Sequence, residues 1–106
     1  MRYLMTTKAG GTPPDEKMFA EMGRLVEELS KAGVLLATGG LGQGTHLTSS
    51  GGKITVTDGP FAEAKEAIVS FALIEARSKE EAIELSKRFW KIAGDGEGDI
   101  HEVFGP

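Results

Sequence analysis

Between Thr57 and Ala67 the chain reads TDGPFAEAKEA, which places four charged side chains, Asp58, Glu63, Lys65 and Glu66, around a turn dipeptide, a proline and an aromatic. Half of this run is turn chemistry, since Asp58-Gly59 tolerates positive φ and Pro60 fixes its own φ. The charges need another reason. A solvated helix would carry opposite charges four residues apart, but positions 62, 67 and 69 are Ala, Ala and Val. A carboxylate held against an apolar wall has its pKa raised and becomes an acid or a base. Asp58 or Glu66 is therefore a candidate to move a proton, with Lys65 stabilising developing negative charge. His46, at a strand start after a glycine-rich run, is a further candidate base, although a surface histidine is the commoner outcome. Two readings stay open: a polar rim around a small cavity, or charges that solvate the beginning of a strand.

Other chemistries are excluded or unsupported. The chain has no cysteine, so disulfides, thiolate catalysis and sulfur-based metal sites are absent. His46 and His101 are the only imidazoles and show no ligand spacing, so no metal and no cofactor is expected. GGLGQGT (39–45) lacks both the G-x-G-x-x-G spacing and the lysine of a phosphate loop, and no helix follows it. No G-x-S-x-G is present. A net charge of -4 without a basic cluster argues against nucleic acid and anionic membranes. Trp90, Phe89 and Phe104 then read as packing residues, not as a stacking platform. The start of the chain lacks the apolar run of a signal peptide, and no stretch approaches 18 apolar residues. A soluble cytoplasmic protein is the expectation.

The elements that must position these residues follow from periodicity. At 106 residues, 40% of them hydrophobic, the chain suits one domain spanning 1–106. RYLMTT (2–7) reads as a strand. A helix is expected over about 13–32, with Thr12 as N-cap, Pro13 at the first helical position, Met18, Met22, Leu25, Val26 and Leu29 on one face, and Gly33 as the stop. VLLAT (34–38) reads as a strand, loosened by the glycines that follow. HLTSS and KITVTDG flank Gly51-Gly52 as a hairpin. AIVSFALIEA (67–76), apolar on both faces, reads as a central strand. Ser78 and Glu81 make a capping box for a second helix that turns Ala82, Leu85, Phe89 and Ile92 inward and stops near Gly94. DIHEVFG reads as a last strand.

Without the hairpin insert the order is strand, helix, strand, strand, helix, strand, the ferredoxin-like α+β arrangement, in which two helices cover one face of an antiparallel sheet. Both faces of 68–74 are apolar, with Val69, Phe71 and Leu73 on one and Ile68, Ala72 and Ile74 on the other, so whichever face the helices leave is bare and apolar. A second copy is expected to cover it, so the expected assembly is a homodimer.

TDGPFAEAKEAIVSFALIEARSKEEA also resembles the diagnostic segment of the YCII-related superfamily, in its DGPF-domain branch, whose motif DGPFAETKE is matched here except for Ala64 in place of Thr. The likeness extends along nearly the whole chain, through KAGVLLATGGL, the ITVTDGPF stretch and the last helix and strand. It implies a dimeric α+β barrel of ferredoxin-like protomers. It also implies that Asp58, Gly59, Pro60, Phe61, Glu63, Lys65 and Glu66 form the functional motif, with Gly59, Pro60, Phe61 and Glu63 on the ligand-binding side; Ala64 removes one hydroxyl from it. The His-Asp pair of other superfamily members does not carry over, because Glu21 or Met22 stands where that His would align. The resemblance allows a small-molecule enzyme of lyase-like or hydrolase-like type, or a ligand-binding or regulatory module linked to transcription.

Overall fold

The computed structural model describes residues 1–59 and 67–105. Strand β1 (Arg2–Lys8) leads to helix α1 (Glu16–Lys31), then to β2 (Leu35–Gly40), β3 (Thr45–Ser50) and β4 (Lys53–Asp58); β5 (Ile68–Glu75), α2 (Lys79–Ala93) and β6 (Gly98–Val103) complete the order. Four strands form one sheet in the order β2-β5-β1-β6, with antiparallel ladders throughout. β1 and β2 thus run parallel with β5 between them, and β5 and β6 run parallel with β1 between them. These are two interlocked split strand-helix-strand units, as in the ferredoxin-like fold.

Alternation along the strands decides which face receives the helices. Tyr3 stands opposite Ile74, Met5 opposite Ala72, and Leu35 opposite Ile74. These residues form the buried core with Leu25 and Leu29 of α1 and Ala82 of α2. Leu4, opposite Leu73, and Thr6, opposite Phe71, point to the other face, which no helix covers among the described residues. β5 lies between β2 and β1 in the sheet interior and carries apolar residues on both faces, Ala72 and Ile74 toward the helices and Phe71 and Leu73 away from them.

Both helix starts are set by side-chain caps, one of them displaced from its expected place. Helix α1 begins at Glu16 and not near 13, with Asp15 accepting a 2.8 Å hydrogen bond from the Met18 amide. The cause is the Pro13-Pro14 pair: a proline disfavours the helical region for the residue before it, so Pro13 cannot open a helix. Thr12 serves elsewhere. Its amide donates to the Asp95 carbonyl, and its hydroxyl accepts from the Asp95 amide at 2.9 Å, which fastens the loop before α1 to the one before β6. At α2, Ser78 accepts from the Glu81 amide, but the Glu81 carboxylate turns to Arg77, whose Nε donates at 2.7 Å, so only half of the reciprocal cap forms around Ser78. Gly94, at φ 84°, ends α2. The two helices are tied by Arg88 and Glu28 at 2.9 Å.

β3 and β4 make a separate two-stranded ribbon, in which Gly51 and Gly52 turn at positive φ. Every residue of both strands is exposed. Among the described residues, no helix is long and apolar enough to cross a membrane.

Candidate functional site

Helices that cover a sheet with unequal side chains leave gaps, and one lies between α1, α2 and the middle of the sheet. It is a cavity of about 440 Å³, within the range of small-molecule sites. Met5, Met22, Val26, Phe89 and Trp90 supply apolar walls, and the exposed ring of Phe19 stands at its edge. Hydroxyls supply the polarity. Thr7 and Ser70 stand opposite each other across β1 and β5, Thr38 reaches in from β2, and Ser86 from α2.

These hydroxyls are not equivalent. Thr38 is committed, donating to the Phe71 carbonyl at 2.8 Å. Ser86 is 6% exposed, sits on the inward stripe of α2 four residues after Ala82, and makes no hydrogen bond among the described residues. No polar side-chain atom is both sealed from solvent and unpartnered among the described residues, so the Ser86 oxygen must open into the cavity. An oxygen open to the cavity can bond water or an occupant there, which makes Ser86 one polar contact for a ligand. Sequence reading passed over Ser86; the available signal was a polar residue interrupting the apolar stripe Ala82, Leu85, Phe89 and Ile92. Among the described residues no ionisable side chain lines this cavity.

A second depression, between the start of α2 and β6, is polar and open, with Lys79, Asp99, His101 and Glu102 around Tyr3. Burial, and after it the negative charges of Glu102 and Glu80, push the Tyr3 phenol above its usual pKa. Among the described residues no three His, Asp or Glu side chains gather as a metal set.

The residues singled out from sequence are placed as follows. His46 lies on β3 in register with Thr57, and Asp58 ends β4 opposite Thr45, whose hydroxyl donates to its carboxylate at 3.1 Å. The two are on opposite faces of the ribbon, so they do not converge. Gly59 donates its amide to the Gly44 carbonyl and accepts from the Gln43 side chain. None of His46, Asp58 and Gly59 lines the cavity. Pro60, Phe61, Glu63, Lys65 and Glu66 lie outside the described residues. On the far side of that segment, Ala67 accepts a hydrogen bond from the Ala9 amide, and Ser70, three residues on, is a lining residue.

Fold and site together define a ferredoxin-like α+β domain with a hydroxyl-bearing apolar cavity between its helices and its sheet. Such domains serve many activities, so the class alone names none. Residues 1–97 match the YCII-related domain family, and the chain belongs to it. An uncharacterised protein of Rhizobium meliloti (strain 1021) is 32% identical over 84 residues, covering 76% of this chain and 68% of that one. Among solved structures, the 5-chloro-2-hydroxyhydroquinone dehydrochlorinase of Burkholderia phenoliruptrix AC1100, in complex with 2,5-dihydroxybenzoquinone, superposes with a TM-score of 0.53 at 16% identity, covering 100% of this chain and 96% of that one. At that identity the likeness is one of fold.

Proposed function

We propose that this YCII-family chain, of the DGPF branch, takes a small hydroxylated aromatic molecule into the cavity between its helices and its sheet and acts on it by acid-base chemistry. The observation that carries the reading is the largely apolar space of about 440 Å³ between the helices and the sheet, onto which Ser86, Ser70 and Thr7 bring hydroxyls. Aromatic and thioether walls suit a flat ring, and Thr7, Ser70 and Ser86 suit its hydroxyl or carbonyl groups. The related fold that holds 2,5-dihydroxybenzoquinone supports the same ligand chemistry. The described lining has no proton-transfer group, so that role falls to the motif carboxylates Asp58 and Glu66, with Lys65 stabilising negative charge. In this reading the working unit is a homodimer whose bare sheet faces cover each other.

The same absence of an ionisable lining group among the described residues favours a second reading, a binding module without catalysis. Calorimetry and turnover with hydroquinone, hydroxyhydroquinone and 2,5-dihydroxybenzoquinone separate the two. Wild type is expected to bind at least one of them, and Ser86→Ala to weaken that binding about threefold to tenfold, the worth of one hydrogen bond. Lys65→Ala and Glu66→Ala should retain binding and lose turnover. Binding without turnover in wild type selects the module. No binding by wild type, or a Ser86→Ala variant that binds as wild type does, overturns the cavity reading.

A further inference from the structure

Within a strand, a glycine commonly answers either a positive φ or a close approach that a Cβ would obstruct. Gly98 on β6 is of the second kind, since a Cβ there would strike the Thr6 carbonyl oxygen. Neither reason applies to Gly40, the last residue of β2. Its φ lies outside the left-handed region. Among the described residues, only the Val69 carbonyl oxygen, at 3.9 Å, comes within 4 Å of where its Cβ would stand. What its missing side chain leaves is space.

That space belongs to the cavity between the helices and the sheet, which Gly40 lines. Pairing sets Gly40 opposite Ser70 and Ser70 opposite Thr7, so the three stand in one row across β2, β5 and β1 on the helix-facing side. The next row is Thr38, Ala72 and Met5. Gly40, Ser70 and Ala72 thus give the cavity a floor with no side-chain atom beyond the γ position. From α2, Ser86 and Ala93 also line it, two helical turns apart and again small. The cavity has a closed end and an open one. Met5, Ala72 and Ser86 are buried, whereas Thr38, Gly40 and Phe19 are exposed.

Size then separates the molecules this cavity could take. An apolar cavity of about 150 Å³ holds one benzene ring, and this one measures about 440 Å³, so a single ring would leave most of it to water. Taking the cavity as the binding site proposed above, we infer that Gly40 is a specificity-determining position and that the occupant has two fused rings, a hydroxylated naphthalene in place of a single phenol. The hydroxylated ring lies at the closed end within reach of Ser86. The second ring extends over Gly40 toward the exposed ring of Phe19. No ionisable side chain among the described lining residues meets it, which suits an uncharged apolar ring. A side chain at position 40 would stand in the volume this second ring needs.

The test is calorimetry under nitrogen with two diols that differ by one fused ring, hydroquinone and 1,4-dihydroxynaphthalene. It is run on wild type, Gly40→Ala, Gly40→Leu and Gly42→Leu. Gly42 is as free of described neighbours as Gly40 but does not line the cavity, so it controls for a leucine added beside β2. Wild type is expected to bind the two-ring diol about tenfold more tightly, from the apolar area the second ring removes from water. Gly40→Leu should lose that preference while binding hydroquinone as wild type does, Gly40→Ala should fall between, and Gly42→Leu should match wild type. A wild type that binds hydroquinone but shows no preference for the second ring overturns the two-ring occupant and leaves the cavity reading standing. A Gly40→Leu variant that keeps the preference overturns the role of Gly40, and so does a Gly42→Leu variant that loses it. Melting curves accompany each variant, and a Gly40→Leu chain that fails to fold also overturns that role, because position 40 would then have no room for a side chain. A wild type that binds neither diol overturns the cavity reading itself and the two-ring occupant with it.

Discussion

The four-stranded body and the two-stranded ribbon use the same alternation of apolar and polar residues and arrive at opposite outcomes. In the body, Tyr3, Met5, Ala72 and Ile74 alternate with outward residues, and the inward set is buried under two helices. In the ribbon, Leu47, Ile54 and Val56 alternate equally well, yet every residue of both strands stays exposed. Alternation states which residues share a face, and the covering layer decides whether that face becomes a core. The difference also divides the molecule by setting: the body buries its inward face under the helices, whereas the apolar face of the ribbon meets water.

The largest expected effect tests that division directly. Ile74 is fully buried, and Ile74→Ala should cost about 2–5 kcal/mol by lost transfer energy and residual cavity. The same truncation at Ile54, at a concentration low enough to keep the chain monomeric, should stay within about 0.5 kcal/mol. Urea unfolding of both variants checks the pair, and equal losses would erase the distinction between body and ribbon.

An intermediate effect belongs to the cap of α2. Ser78→Ala removes the acceptor of the Glu81 amide and should cost about 1 kcal/mol. Thr45→Ala, which removes a hydrogen bond to Asp58 in the ribbon, should leave the urea midpoint of the body where it was. A shift of that midpoint by Thr45→Ala would show that the two regions unfold as one.

The smallest effect is electrostatic. The hydrogen bond from Arg88, and after it the Arg88 charge, hold the Glu28 carboxyl below its usual pKa, and Arg77 acts likewise on Glu81. A carboxylate whose pKa is lower folded than unfolded stabilises the fold above its unfolded pKa, and that stabilisation is lost as pH falls through the folded value. Both pairs are open to solvent, so the contribution is small and weakens with salt. Glu28→Gln should therefore melt slightly below wild type at pH 7, with the gap closing as the pH is lowered past the ordinary glutamate value. Melting curves across that range check the sign, and a gap that widened with acid would show that the Arg88 contact is not its source.

Much of the body was legible in advance because its signals are local or strongly periodic. β5 announced itself by apolar residues on both faces, and α2 by Ser78 and its inward stripe. The start of α1 was misread because the capping value of Thr12 was weighed without the restriction that Pro14 places on Pro13, and because nothing local shows that Thr12 would bond to Asp95, distant in sequence. The cavity was not legible. Met22, Thr38, Ser70 and Ser86 come from four elements, and their common space exists only where the helices meet the sheet.

By itself, then, the sequence determined which residues share a face, where turns and caps fall, and that β5 must lie inside the sheet, because these follow from the period of two, the period of 3.6 and the stereochemistry of glycine and proline. Tertiary structure alone decided that Ser86 lines a cavity, that His46 and Asp58 point away from each other, and that one alternating face is buried while the other meets water. Those outcomes depend on which elements come to lie against one another, and a pattern along the chain carries the identity of a face but not of the surface that will cover it.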